Sequence, residues 1–283
     1  MKYNIINANT DLGVHVNGAY LGPNAISKCF DIEYIDVNKK DIVKSMSKDD
    51  KEKNLEYVNE FNERLYNEIV NNNNQIITLG GDHSMAIGSA LASIKKHDSL
   101  GIIWIDAHGD FNNFATTITG NLHGLPFAAI TNYKDTEKLN SFHKGNFYKF
   151  ENAVLVGGRD IDPLELVNLK DAGVKIFTTE DIKNLGYEKV MDEAFKIATN
   201  NTNGIHISYD LDVIDPMIAK GVSIPAKDGI NLEEAYNIMN YISKNKDKVK
   251  SLDLVEYNPT LDKNDETLNI AKKLLETYIK ESV

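Results

Sequence analysis

The sequence predicts an α/β fold: a mostly parallel sheet covered by helices on both faces. Three observations predict it. Short apolar runs alternate with amphipathic stretches along the chain, and strands that recur between helices imply crossover connections. Polar clusters directly follow several apolar runs, where open α/β sheets bind their ligands. No linker rich in Pro, Gly or Ser interrupts the pattern and no internal repeat is visible, so residues 1–283 read as a single domain.

In chain order, Tyr3–Ile6 opens as a strand. A helix is expected over Lys51–Val70, where Leu55, Val58, Leu65, Ile69 and Val70 fall near helical spacing. The "NNNN" of Asn71–Asn74 is a polar loop leading into a strand at Gln75–Leu79. A helix at Met85–Lys96 precedes a strand at Leu100–Asp106. Strands follow at Ala153–Val156, Val174–Phe177, Gly204–Tyr209 and Ser251–Val255. The intervening helices are Pro163–Asp171, Tyr187–Ala198 and Leu232–Lys244, and Glu266–Glu281 closes the chain.

Composition narrows the function classes. The chain is 42% apolar and 26% charged, which is ordinary for a water-soluble globular protein. Its net charge is −11, and it holds no block of Lys and Arg long enough to track a phosphate backbone. That argues against nucleic acid and anionic membrane as partners and is compatible with a cationic substrate. Cys29 is the only cysteine, so an intramolecular disulfide is impossible, which suits a reducing cytoplasm. The N-terminus lacks the apolar core of a signal peptide. No apolar stretch approaches the roughly 18 residues of a membrane span.

Four clusters sit at the ends of apolar runs. "IITLGGDHS" places Gly80, Gly81, Asp82 and His83 after one run. "IIWIDAHGD" ends another with Asp106, His108 and Asp110, and side chains at i, i+2 and i+4 of an extended chain point to one side. "IHISYDLDVIDP" ends a third with Asp210 and Asp212, and "LDLVEYNP" a fourth with Glu256 and Asn258. Each alone has a mundane reading as a solvated turn. Their joint occurrence does not. His83, Asp106, His108, Asp110, Asp210 and Asp212 supply two imidazoles and four carboxylates, too much negative charge for one divalent ion and about right for two. The oxygen-rich set suits Mn²⁺, with Zn²⁺, Fe²⁺ or Co²⁺ as alternatives. A pair of such ions lowers the pKa of bridging water to roughly 7, so the reaction class is hydrolysis.

These segments resemble the ureohydrolase family, which contains the arginases and agmatinases. The resemblance runs from "GAYLGPNAI" (Gly18–Ile26) to "LVEYNP" (Leu254–Pro259), through G-G-D-H-S, D-A-H-x-D, S-x-D-x-D-x-x-D-P and E-x-N-P. It implies an arginase-like three-layer α/β/α domain with an eight-stranded, mostly parallel sheet, two Mn²⁺ per chain, a small guanidino substrate, and a homo-oligomer (trimer or hexamer). It implies that His83, Asp106, Asp110 and Asp210 hold one ion and Asp106, His108, Asp210 and Asp212 the other, with Asp106 and Asp210 bridging. It further implies that Asp110 orients the attacking water, Glu256 holds the guanidinium and His123, in "TGNLHGLP", shuttles a proton.

Substrate choice falls to the pocket rim. "DFNNFATTITGNLHG" resembles arginases more than agmatinases: Asn112, Thr117 and Thr119 match positions that bind an α-carboxylate, with Thr119 where Ser is usual. In "GGRDIDPLE", Asp162 and Glu165 match the acids that serve the α-ammonium, and Asp162-Pro163 also reads as a helix cap. "GVSIPAKDGINLEE" departs from the family's G-T-P-x-x-G-G-L-T. Conversion of L-arginine to L-ornithine and urea is therefore expected. Agmatine hydrolysis, another guanidino-acid or formimidoylglutamate reaction, or a non-catalytic metal-binding assembly role are the alternatives. His15, His97, His143 and His206 read as structural or exposed.

Overall fold

The computed structural model describes residues 3–47 and 49–280. The elements are, in chain order, β1 (Tyr3–Asn9), α1 (Gly22–Ser27), β2 (Tyr34–Asn38), α2 (Leu55–Val70), β3 (Gln75–Gly80), α3 (Ala86–His97), β4 (Gly101–Ile105) and α4 (Pro126–Ile130). They continue as β5 (Ala153–Gly158), α5 (Pro163–Ala172), β6 (Lys175–Thr178), α6 (Thr179–Leu185), α7 (Tyr187–Ala198), β7 (Ile205–Asp210), α8 (Leu232–Lys244), β8 (Val249–Val255) and α9 (Glu266–Ile279).

The eight strands form one sheet in the order β2-β1-β3-β8-β7-β4-β5-β6, and every pairing is parallel. Alternate residues of each strand feed two separate cores. Ile5, Ile103, Ile105, Val154 and Val156 pack on the face covered by α7, α8 and α9. Ile6, Ile102, Trp104, Ala153 and Leu155 pack on the face covered by α2, α3 and α4. Two buried faces demand apolar side chains at consecutive positions, which explains the continuous apolar runs. The layers are therefore helix, sheet, helix.

The expected strands and long helices are present with small shifts. The first long helix starts at Leu55 rather than Lys51, because Asn54 turns the chain at φ +63. The Glu281 end of the last expected helix lies outside the described residues. Strand β2 was not expected: it is an edge strand with only Val37 buried, so its apolar signal is weak. Helices α1, α4 and α6 were also missed; each is seven residues or fewer, too short to show a period.

The topology positions the site. The clusters after β3, β8, β7 and β4 are far apart in sequence, yet these four strands are consecutive neighbours at the sheet's centre. Their carboxyl ends open into one crevice, where the strand order reverses.

Candidate metal centre and substrate pocket

After β3 the chain passes close to the loop after β1. A Cβ at Gly81 would lie 1.8 Å from the Thr10 carbonyl oxygen, so only glycine fits. The Asp82 carboxylate then accepts the Ser84 and Gly13 amides at 2.9 and 3.1 Å. Asp82 thereby pins the turn, and His83 projects over the sheet's centre.

His83 Nδ1 lies 3.0 Å from Asp106 Oδ2, 3.2 Å from Asp110 Oδ2 and 3.0 Å from Asp210 Oδ2. Despite that proximity it makes no hydrogen bond. On the other side, His108 Nδ1 lies 2.8 Å from Asp212 Oδ2 and 3.5 Å from Asp106 Oδ1. The ligand atoms of His83, Asp106 and Asp110 fall within one coordination sphere, and those of Asp106, His108 and Asp212 within a second. Asp106 is common to both, one oxygen facing each. Asp210 meets the His83 sphere through Oδ2, while its Oδ1 accepts the Asp212 amide at 2.7 Å.

The donor set fits two divalent cations. Asp106, Asp110, Asp210 and Asp212 are all at most 5% exposed. Burying uncompensated charge costs several kcal/mol per ion, more than the roughly 1.5–3 kcal/mol gained by burying one core Leu or Ile. Two divalent ions would cancel all four negative charges. The titration directions reflect this crowding. Burial and the neighbouring Asp106 push Asp110 up to about 6. Burial, then Asp212 and Asp106, raise Asp210 well above the usual carboxylate range. Burial opposes charge on His83, but Asp106, Asp110 and Asp210 outweigh it and raise its pKa.

Neighbouring side chains hold these groups in place. His83 Nε2 is 2.8 Å from Ser208 Oγ. An Nε2–H donated to that hydroxyl leaves the Nδ1 lone pair facing the carboxylates. Trp104 stacks on the His83 ring at 4.1 Å and donates its indole N–H to Asp106 Oδ2 at 3.0 Å. Neither residue was singled out from the sequence. Both stand two positions before a cluster aspartate, so the two-residue strand period was the available signal. Ser208→Ala is expected to weaken metal binding by about 10–100-fold, as measured by titrating metal into the stripped protein; unchanged affinity would mean the tautomer is set elsewhere.

Two site carboxylates are held in left-handed backbone, Asp110 at φ +49 and Glu256 at φ +68. L-residues adopt that region at a cost, and it concentrates at functional sites. Glu256 Oε1 accepts the His83 amide at 2.8 Å and lies 3.1 Å from His123 Nδ1. Glu256 Oε2 is buried with no hydrogen-bond partner. Burial disfavours charge on His123, and Glu256 reverses this and raises its pKa.

A cavity of about 290 Å³ opens above the centre, lined by His108, Asp110, His123 and every expected rim residue. Thr117 Oγ1 accepts the Gly120 amide and Thr119 Oγ1 the Asn121 amide, leaving both hydroxyl protons to donate. Asn112 Nδ2 donates to Asp162 Oδ2 at 3.2 Å. Both Glu165 oxygens are engaged, by the Phe111 and Asp162 amides, and burial with Asp110 nearby raises Glu165 to about 8. Asp162 and Glu165 thus form a capping box at the start of α5 and also line the pocket.

Five further lining residues were not singled out as rim residues: His15, Asn121, Gly124, Asp160 and Ile224. His15 is exposed, as one reading had it, but it also lines the pocket and meets Asn121 at 2.8 Å. His143 and His206 are buried among polar partners, Asn146 for the first and Ser251 with Asp253 for the second. The unusual loop that carries Ile224 is tied down by Arg159, whose guanidinium donates to the carbonyls of Asp212, Val213, Ala226 and Lys227.

The Arginase family model matches residues 1–280. The chain belongs to the arginase family. The arginase of Brevibacillus brevis is 36% identical, over 96% of this chain and 95% of its own. The arginase of Bacillus subtilis is 34% identical, over 97% and 96%. Among solved structures, the Entamoeba histolytica arginase in complex with L-ornithine superposes with a TM-score of 0.91 at 27% identity, covering 98% of this chain and 97% of that one. The native arginase of Bacillus caldovelox gives 0.89 at 31% identity, covering 99% of both chains. As an arginase-family member the chain is a hydrolase of a family that depends on a binuclear metal centre, and its two His/Asp clusters suit one.

Proposed function

We propose that the chain hydrolyses L-arginine to L-ornithine and urea, using two Mn²⁺ ions. His83, Asp106, Asp110 and Asp210 would hold one ion, and Asp106, His108, Asp210 and Asp212 the other. The observation that carries this reading is the pair of coordination spheres sharing Asp106 beneath the pocket. When bound, the ions supply water acidic enough to ionise near neutral pH.

The chain's own residues do the rest. The unpartnered Glu256 Oε2 accepts a guanidinium N–H in a charge-assisted bond. Asp110 orients the attacking water. Adding water across the C–N bond requires the leaving nitrogen to gain a proton, and His123 delivers it from its place beside Glu256. At the rim, Asn112, Thr117 and Thr119 bind the α-carboxylate. Asp162, with Glu165 bracing its turn, faces the α-ammonium. A single ureohydrolase domain, a homo-oligomeric assembly and a cytoplasmic location complete the proposal. They rest on the one continuous sheet, on the family resemblance and on the lone cysteine, respectively.

Urea release from manganese-loaded protein, compared across arginine, agmatine, guanidinobutyrate and formimidoylglutamate, tests the substrate. Asn112→Ala is expected to raise KM for arginine and to leave agmatine nearly unchanged, because agmatine has no carboxylate to lose. A lost hydrogen bond to a charged group is worth roughly 1.5–3 kcal/mol, or about tenfold and more. Wild-type preference for agmatine, unchanged in the variant, would reduce this rim to a structural loop.

A further inference from the structure

The loops on the carboxylate side of the pocket are clamped from behind by two buried lysines of the connection between β2 and α2. Lys44, with its side chain 3% exposed, places Nζ 2.6 Å from the Asp11 carbonyl oxygen, 2.9 Å from that of Val14 and 3.3 Å from that of Val16. Asp11 Oδ1 lies 3.6 Å from the same Nζ. These carbonyls belong to the loop that carries His15, and the Gly13 carbonyl of that loop accepts the His123 amide at 3.1 Å. Lys53, also buried, donates to the Thr119 carbonyl at 2.6 Å and the Ser47 carbonyl at 2.7 Å. Lys51 reaches the adjoining Ile118 carbonyl. Gly120, at φ +67, would place a Cβ 2.8 Å from the Asp50 carbonyl oxygen, so connection and loop meet backbone to backbone. The two clamped loops touch each other at His15 and Asn121.

Packing alone does not call for ammonium groups here. Burying one is costly unless it is paired and hydrogen-bonded, whereas an apolar side chain would fill the same space without that cost. An ammonium with three donors answers convergent carbonyls that otherwise repel each other. Charge-assisted hydrogen bonds are roughly twice as strong as neutral ones, and they fix loop position accordingly.

We propose that Lys44 and Lys53 are positioning residues for substrate binding, bracing the His15 and Thr117–Asn121 loops at the distance a bound α-carboxylate requires. This rests on the proposed arginine reading of the rim. The test uses Lys44→Met and Lys53→Met in manganese-loaded protein. KM and kcat are measured with arginine, and amide hydrogen exchange at Gly120, Asn121 and His123 is read without substrate. KM is expected to rise about tenfold or more, with kcat and metal content near wild type. Exchange at those amides is expected to quicken, while the central Ile105 and Tyr209 amides stay protected. Lys53→Arg, which keeps charge and donors, is expected to recover most of KM.

Unchanged KM in both variants overturns the proposal. So does a parallel loss of kcat, metal and central protection, which marks a purely structural role. If Lys44→Met does not fold, Gly120→Ala pushes the loop off Asp50 with both lysines intact; it must raise KM similarly or the brace is overturned. Wild-type preference for agmatine would overturn the arginine reading and with it the α-carboxylate role of the brace, whereas unchanged amide exchange in both lysine variants, which involves no substrate, would overturn the brace itself.

Discussion

Asp106→Asn is expected to empty both metal positions and to reduce urea production by more than about a hundredfold, since even the outer partners of metal ligands typically contribute about 10–100-fold to metal affinity or activity. The reason is geometric. Asp106 Oδ2 lies 3.0 Å from His83 Nδ1, and its Oδ1 lies 3.5 Å from His108 Nδ1, so one carboxylate serves both clusters. Asparagine keeps the shape but gives up the charge and one acceptor oxygen. Metal analysis of the purified variant after reconstitution with Mn²⁺ checks this: about two ions per chain are expected in the wild type and well under one in the variant. Asp210→Asn is expected to behave the same way if Asp210 also bridges. Loss of one ion with the other retained would remove Asp210 from the bridging pair, where it is the less obvious member because Asp106 alone is common to both clusters.

His123→Asn separates chemistry from binding. Its expected cost is about 10²–10⁴-fold in kcat, the usual contribution of a positioned acid–base group. Metal content and KM should be nearly unchanged, because His123 contacts Glu256 and lines the pocket without joining either metal cluster. Asparagine can still hydrogen-bond to Glu256 but has no proton to deliver near neutral pH. Single-turnover urea release with saturating arginine would read the chemical step directly. A rate equal to wild type would mean that solvent or another group protonates the leaving amine.

Much of the site was legible because its residues lie close together in sequence. The strand period of two leads to Asp106 and Asp210 at the ends of their runs. His108, Asp110 and Asp212 lie past the strands, Asp110 in left-handed backbone and Asp212 in a 3-10 turn. They reach the crevice by turning rather than by the extended spacing the sequence suggested. The same period would have reached Ser208 and Trp104, each two residues before a cluster aspartate. Strand β2 and the short helices α1, α4 and α6 were not legible. An edge strand with one buried residue carries little apolar pattern, and a helix of seven residues or fewer shows no repeat.

By itself, then, the sequence determined the α/β class, the four polar clusters at strand ends and the identity of the side chains that meet there. Those properties depend on residue type and on periods of two or nearly four residues, which any short window contains. Only the tertiary structure decided that β3, β8, β7 and β4 stand side by side, so that Glu256 reaches the His83 amide across 173 residues of chain. It also decided that His15 meets Asn121, and that Lys44 and Lys53 clamp the rim from behind. Strand order and loop-to-loop contact come from packing two helical layers on one sheet, and that long-range arrangement leaves no periodic trace at the individual residues it brings together.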